Sequence, residues 1–196
     1  MVRYFIFDLG NVIVDYTNKR YYDYLSGISG VKRSDVDYLV DPLVAKLEIG
    51  IITLEKFQNQ VGNSLGIRPR QVKWLEYYKK TVKINNSVLG IVEDLHKKYK
   101  TAFLSNIDRS RYDFTMNNIL DTSMFDHKYA SCFLNIRKPD TEVFRYVAWQ
   151  LGAKPADIVF VDDRPENVYS SCIVGMHGIR FVGAGKLHRE LKRYLE

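Results

Sequence analysis

Short, dense apolar runs alternate with amphipathic stretches along much of this chain. Tyr4–Phe7, Thr101–Asn106 and Asp157–Asp163 are the densest runs, and His127–Ser131 and Gly178–Val182 are shorter ones. Runs this apolar suit strands covered on both faces, as in a parallel sheet. Between them lie helical patterns. Ser87–Tyr99 starts at a serine cap and puts Val88, Val92 and Leu95 on one face, and the stretch from Pro139 ends at Gly152, a C-cap residue. From residue 84 onward the alternation is strand–helix–strand, which predicts a doubly wound α/β core.

Residues 16–83 break that rhythm. They contain no strand pattern, only helical segments: Asn18–Leu25, Ser34–Val40, Pro42–Ile49, Thr53–Leu65 and Pro69–Val82. Ser34 and Thr53 read as N-caps, and Pro42 and Pro69 as first-turn prolines. The chain is therefore expected to comprise a core of residues 1–15 and 84–196, with an all-helical cap of residues 16–83 inserted after the first strand. In open α/β sheets ligands bind beyond the carboxyl ends of the strands, so an insertion there lies over the ligand as a lid.

Composition adds limits. A chain of 196 residues with 46% hydrophobic and 27% charged residues can bury a sizeable core. Tyr4–Val14 is too short for a membrane span and is broken by Asp8, and no secretory signal is evident. The two cysteines, Cys132 and Cys172, form neither a disulfide framework nor a metal knuckle, so a cytoplasmic protein with no membrane partner is expected. The net charge of +6 comes from residues 66–100, which hold nine Lys or Arg against three acids. Those cations scatter as on solvated helix faces, and no nucleic-acid motif accompanies them. Oligomeric state is not encoded in any pattern here.

Four pieces of chemistry follow apolar runs or precede a helix. Asp8 ends the first strand, Ser105 and Asn106 end the second, Asp162 and Asp163 end the third, and Lys138 lies in "IRKPD" between the last two. Parallel strands would bring all four to one sheet edge. A carboxylate can attack phosphorus and form an acyl phosphate. A divalent cation held by one or two carboxylates would neutralise the charge between them. A hydroxyl and an ammonium would hold the phosphoryl oxygens, with Lys138 also keeping Asp8 ionised.

This order of pieces resembles the haloacid dehalogenase-like superfamily, most of whose members are phosphatases. "FIFDLGNVIVD" looks like its first motif, with Asp8 as nucleophile; "FLSN" like the second, with Ser105 and the Asn106 backbone on the phosphoryl group. "RKPDTEVF" is similar to the third, carrying Lys138, and "VFVDDRPENV" to the fourth. The resemblance implies Mg²⁺ held by Asp8, the Gly10 carbonyl and the pair Asp162–Asp163, with Asp163 the first choice for direct contact and Asn167 orienting the pair. It also implies a small phosphorylated metabolite as substrate, and "DLGNV" with "RKP" and "VDD" looks closest to the sugar-phosphate phosphatase branch.

Gly10 departs from the pattern of many such phosphatases, which place there a second Asp that protonates the leaving oxygen. Bound water, Asn11, Asp15 and Asp108 are the candidate substitutes. In the cap, Glu48 resembles the Glu of a Glu–x–Gly element that the superfamily often keeps at this turn, and it and Arg20 are candidates for substrate contact. Three other classes compete with the phosphatase. A 2-haloacid dehalogenase would use Asp8 on carbon without metal, which the acidic pair argues against. A non-catalytic phospho-ligand or partner-binding protein is favoured only by Gly10, and a phosphomutase would need the residue that Gly10 lacks.

Overall fold

The computed structural model describes residues 1–195. Its centre is a five-stranded sheet of β1 (Tyr4–Phe7), β4 (Lys100–Ser105), β5 (His127–Ala130), β6 (Ile158–Asp162) and β7 (His177–Arg180). The order is β5-β4-β1-β6-β7, and every neighbouring pair is parallel. The pleat explains the continuous apolar runs. Phe5, Phe7, Phe103, Val159 and Val161 point into one packed layer, and Ile6, Ala102, Leu104, Ile158 and Phe160 into the other. The first layer is covered by α5 (Asn86–His96), α6 (Arg109–Asn118) and α10 (Ala184–Leu191), the second by α8 (Thr141–Gln150), with α9 (Pro165–Val174) beside it. The short helix α7 (Ser131–Leu134) follows β5 directly. This is the expected doubly wound α/β core. No helix among the described residues is long and apolar enough to cross a membrane.

The all-helical cap follows β1. It comprises α1 (Asn18–Ser29), α2 (Arg33–Glu48), α3 (Leu54–Leu65) and α4 (Trp74–Thr81). Its own core includes Tyr21, Leu25, Val36, Val40, Phe57, Val61 and Trp74, separate from the two layers on the sheet. Where the chain leaves and re-enters the α/β core, β2 (Val14–Asp15) and β3 (Lys83–Ile84) pair antiparallel. The sequence pattern missed this ribbon, because two residues per strand carry no periodicity.

Several local expectations are corrected. The segments Ser34–Val40 and Pro42–Ile49 are one helix, α2, with Pro42 inside it. The buried positions Val36, Val40, Val44 and Leu47 keep one phase through the proline, so packing of that stripe outweighs the missing N–H. Lys32, not Ser34, occupies the N-cap of α2, while Thr53 caps α3 as expected by accepting from the Lys56 N–H. The expected helix Pro69–Val82 is broken at Lys73, whose φ of 42° separates a single 3₁₀ turn from α4. Asn85 rather than Ser87 caps α5, because its backbone and amide nitrogens also donate to the Ile13 and Val12 carbonyls.

A buried ionic hub fastens cap to core. Arg111 on α6 donates from Nε to Asp108 Oδ2 at 2.5 Å, from Nη1 to Asn18 Oδ1 at 3.0 Å and from Nη2 to Glu48 Oε1 at 3.3 Å. Its guanidinium also lies 4.2 Å from the Trp74 ring centroid, and the Trp74 indole N–H donates to Asp108 Oδ2 at 2.9 Å. Asp108 simultaneously caps α6. Replacing Arg111 by Met would leave Asp108 and Glu48 as buried charges without this partner. The expected loss of stability is about 3–5 kcal/mol, measured by denaturant unfolding.

Two helix-interior glycines should respond oppositely to alanine. A Cβ at Gly62 in α3 would lie 2.8 Å from the Ile67 carbonyl oxygen and 3.2 Å from the Pro69 nitrogen, both backbone atoms. Gly62→Ala is therefore expected to destabilise by about 1–3 kcal/mol, as overpacking does. At Gly90 in α5 a Cβ meets nothing within 4 Å. Gly90→Ala is expected to stabilise by roughly 0.5–1 kcal/mol. Urea midpoints of the two variants check the sign of each.

Candidate active site

Because β4, β1 and β6 are neighbours and parallel, their carboxyl ends deliver Ser105, Asp8 and Asp162 side by side. Lys138 comes in from the loop before α8. Its ammonium is wholly buried and contacts the Leu104 carbonyl at 2.7 Å, Asp162 Oδ2 at 2.7 Å and Asp8 Oδ1 at 2.9 Å. Those three partners account for all three ammonium protons. The Asn106 side chain holds the loop in place, donating to the Lys138 carbonyl at 2.8 Å and accepting from the Lys138 N–H at 3.0 Å.

The acidic groups differ in how much of each is free. Asp162 is fully engaged: Oδ1 accepts from the Arg164 N–H at 2.9 Å, and Asn167 Nδ2 reaches both oxygens at 3.0 Å. Asp163 is half-buried, and its Oδ2 accepts from Asn11 Nδ2 at 2.9 Å. Asp8 Oδ1 also accepts from the Leu9 N–H at 2.7 Å, whereas its Oδ2 accepts no hydrogen bond among the described residues. Carboxylate oxygens of Asp8, Asp162 and Asp163 can all lie within 4.8 Å of one another. Burial, opposed by Lys138 and reinforced by Asp162 and Asp163, pushes Asp8 up to about 7. The lysine contact expected to keep Asp8 ionised thus offsets only part of the cost of desolvation.

A cavity of about 1160 Å³ opens between the cap and this sheet edge, with Asp8, Ser105, Lys138 and Asp163 on the core side and Asn18 and Glu48 on the cap side. Gly10, Asn11, Asn106 and Asn167 line it as well. Glu48 is buried, and faces neither solvent nor a free cation. Its Oε1 meets Arg111, its Oε2 lies 3.0 Å from Arg137 Nη2, and burial raises its pKa despite both arginines.

Arg20 is not brought to the cavity. It pairs with Asp15 at 3.0 Å on the exposed side of α1, since Tyr21, Tyr22 and Leu25 take that helix's inward face. That pairing occupies Asp15 too. Asp108 is committed to Arg111, Trp74 and the start of α6; although burial alone would raise its pKa, Arg111 and the donors of Ser110 and Trp74 hold it below the ordinary carboxylate value. It has no proton to give at neutral pH. Asn11 gives one of its two Nδ2 protons to Asp163. A Cβ at Gly10 would meet only ordinary contacts, the Tyr16 carbonyl at 3.7 Å and Asp8 Oδ2 at 3.9 Å, so the glycine is not demanded by space.

Sequence reasoning missed Tyr16, Arg111 and Arg137, all of which line the cavity. Arg137 adjoins Lys138 in "IRKPD", a signal that could have been followed; Tyr16 and Arg111 carry no local signature.

The model of the haloacid dehalogenase-like hydrolase family matches residues 2–170 of this chain. Among curated proteins, drimenol cyclase drtB of Aspergillus calidoustus is 24% identical over 97% of the chain, which spans only 36% of that relative's length. The D-ribitol-5-phosphate phosphatase of Bacteroides thetaiotaomicron is 23% identical, with 86% of each protein covered. Among solved structures, a haloacid dehalogenase family enzyme from Bacteroides thetaiotaomicron, in complex with magnesium and inorganic phosphate, superposes with a TM-score of 0.76. It is 21% identical and covers 92% of this chain and 94% of its own. With a family match over most of its length, this chain belongs to the haloacid dehalogenase-like hydrolases.

Proposed function

We propose that this hydrolase is a Mg²⁺-dependent phosphatase of small phosphorylated metabolites, with sugar phosphates preferred, working through an aspartyl phosphate on Asp8. The observation that carries the reading is the convergence of Asp8, Asp162, Asp163 and Lys138 beneath one cavity, with Asp8 Oδ2 left free to react. The curated phosphatase of D-ribitol 5-phosphate and the relative solved with magnesium and phosphate support it.

The donor set fits Mg²⁺. It is all oxygen, it carries three carboxylates against one ammonium, and Asp8 Oδ2 and the half-buried Asp163 keep acceptor capacity. Asp8 and Asp163, with the Gly10 carbonyl, would hold the ion. Asp162 acts behind them by fixing Lys138. When bound, the ion would offset charge between these carboxylates and the phosphoryl oxygens.

Asp8 Oδ2 attacks phosphorus, and the ester P–O bond breaks with its electron pair passing to the alcohol oxygen. That oxygen takes a proton from water, because position 10 offers no side chain. A second water then attacks phosphorus of the acyl phosphate, loses its proton to solvent, releases inorganic phosphate and restores the carboxylate. Ser105 Oγ and the Asn106 N–H would hold the phosphoryl oxygens. Lys138, with its protons already shared, serves mainly as a fixed positive charge that braces Asp8. The cap over the cavity would act as the lid that limits bulk water during transfer.

Three measurements test this. Asp8→Asn is expected to abolish Mg²⁺-dependent hydrolysis of p-nitrophenyl phosphate, and chelation by EDTA should do the same to the unmodified protein, reversibly on adding Mg²⁺. Equal rates for the protein and its D8N variant would end the reading, and halide release from 2-chloropropionate without metal would replace it with the dehalogenase. Gly10→Asp is expected to speed hydrolysis of alkyl phosphates, up to about 10²-fold, more than that of p-nitrophenyl phosphate. The poorer the leaving group, the more a proton donor at position 10 contributes.

A further inference from the structure

Helix α9 is built inside out. Its buried positions are polar or small, Asn167, Ser170 and Ser171, while Tyr169 and Ile173, one turn apart, are 69% and 54% exposed. The inward half has local reasons. Asn167 holds Asp162, and a Cβ at Gly178 of β7 would lie 2.9 Å from Ser171 Oγ and 2.8 Å from Val168 Cγ1. Strand and helix therefore approach too closely for larger residues between them. The apolar outward half has no such reason, since no packing among the described residues covers it.

The neighbouring helix adds to the same surface. Val143, Phe144, Val147 and Ala148 form the buried stripe of α8, and Tyr146 and Trp149 fall outside it. Trp149 is 71% exposed and Tyr146 38%, with their ring centroids 5.9 Å apart. Because α8 and α9 pack side by side on one layer of the sheet, the four side chains share its outer face. At these exposures they present on the order of 500 Å² of mostly apolar surface. Single exposed apolar residues are ordinary, but a patch of this size on one face marks an interaction surface.

Size and charge point to the occupant. Homodimer interfaces are about 65% apolar, so that apolar area corresponds to about 800 Å² per partner, the extent of a standard stable interface. Charge on the two helices is balanced, Glu142 pairing with Arg145 at 3.2 Å and Glu166 with Arg164. The residues that carry the chain's positive excess, within 66–100, belong to neither helix. A strongly acidic or basic partner finds no opposing field here, whereas two copies of net charge +6 can meet with none of those cations in the contact. A two-fold pairing needs a self-complementary patch, and a neutral apolar one meets that need.

We propose that the outer face of α8 and α9 is the contact between two copies of this chain, with Trp149 and Tyr169 as its anchors. None of the four apolar side chains lines the cavity above Asp8, so both cavities stay open in the pair. The pairing does not depend on which reaction the site performs.

Sedimentation velocity on the full chain, from about 1 to 100 µM, tests this. Interfaces of this size bind with micromolar constants or tighter, so twice the monomer mass is expected at the upper end of that range. Trp149→Glu and Tyr169→Glu should each weaken the dimer at least about tenfold, and unchanged melting temperatures of the monomeric forms would confirm folding. Ile51, exposed in the turn between α2 and α3, is the control, and Ile51→Glu should keep the dimer. A monomer throughout, or a dimer that survives both substitutions or is broken by Ile51→Glu instead, overturns the proposal. A monomer that sediments with phosphatidylglycerol vesicles would assign the face to a membrane and overturns it as well.

Discussion

The site depends on a single buried ammonium. Lys138 has no solvent contact, and a charge so placed is tolerable only when its protons are matched and its charge is opposed. Leu104, Asp162 and Asp8 meet that condition from β4, β6 and β1 in turn. Three neighbouring strand ends are thereby tied to one atom. The Asn106 clamp on the Lys138 backbone and the Asn167 clamp on Asp162 reduce the freedom of both partners. Asp8 is consequently fixed through one oxygen and left open at the other, the asymmetry that the proposed attack by this carboxylate would use.

A second buried cation does for the cap what Lys138 does for the sheet edge. Arg111 draws Asn18 and Glu48 of the cap onto Asp108 of the core and stacks over Trp74. Glu48 then links this hub to Arg137, and Arg137 adjoins Lys138. Cap position, cavity wall and the Asp8 carboxylate are thus connected through a chain of polar contacts, beside the packing of Tyr78 on Tyr16 and Phe114. The cap has its own apolar cluster, but Tyr78 of α4 is buried in the sheet's layer and Tyr77 packs against both, so apolar contact joins the polar seam where the two meet.

Most of the α/β core could be read along the chain, because strands buried on both faces require dense apolar runs and helices over them require one apolar stripe. The cap's helical nature was legible for the same reason, but its divisions were not. Pro42 reads as a helix start and lies inside α2, since the Val36–Leu47 stripe is packed on both sides of it. Lys73 reads as helical and breaks a helix. The β2–β3 ribbon left no trace, being two residues long on each side. Arg20 shows the same limit at the site: charge and proximity to the first strand suggested it, and the rotation of α1 turned it outward to Asp15.

By itself the sequence determined which candidate residues meet, since strand ends in a parallel sheet must converge and Asp8, Ser105, Lys138, Asp162 and Asp163 all stand at or near such ends. It also determined that position 10 has no acid to offer. Only the tertiary structure decided which of those groups remain free. Lys138 proves saturated, Asp162 engaged and Asp8 half free, while Asp108, Asp15 and Asn11 each hold another partner. The cavity wall was visible in advance only at Glu48, through its Glu–x–Gly turn. Tyr16 and Arg111 carry no local pattern, because their contacts form only when cap and core come together.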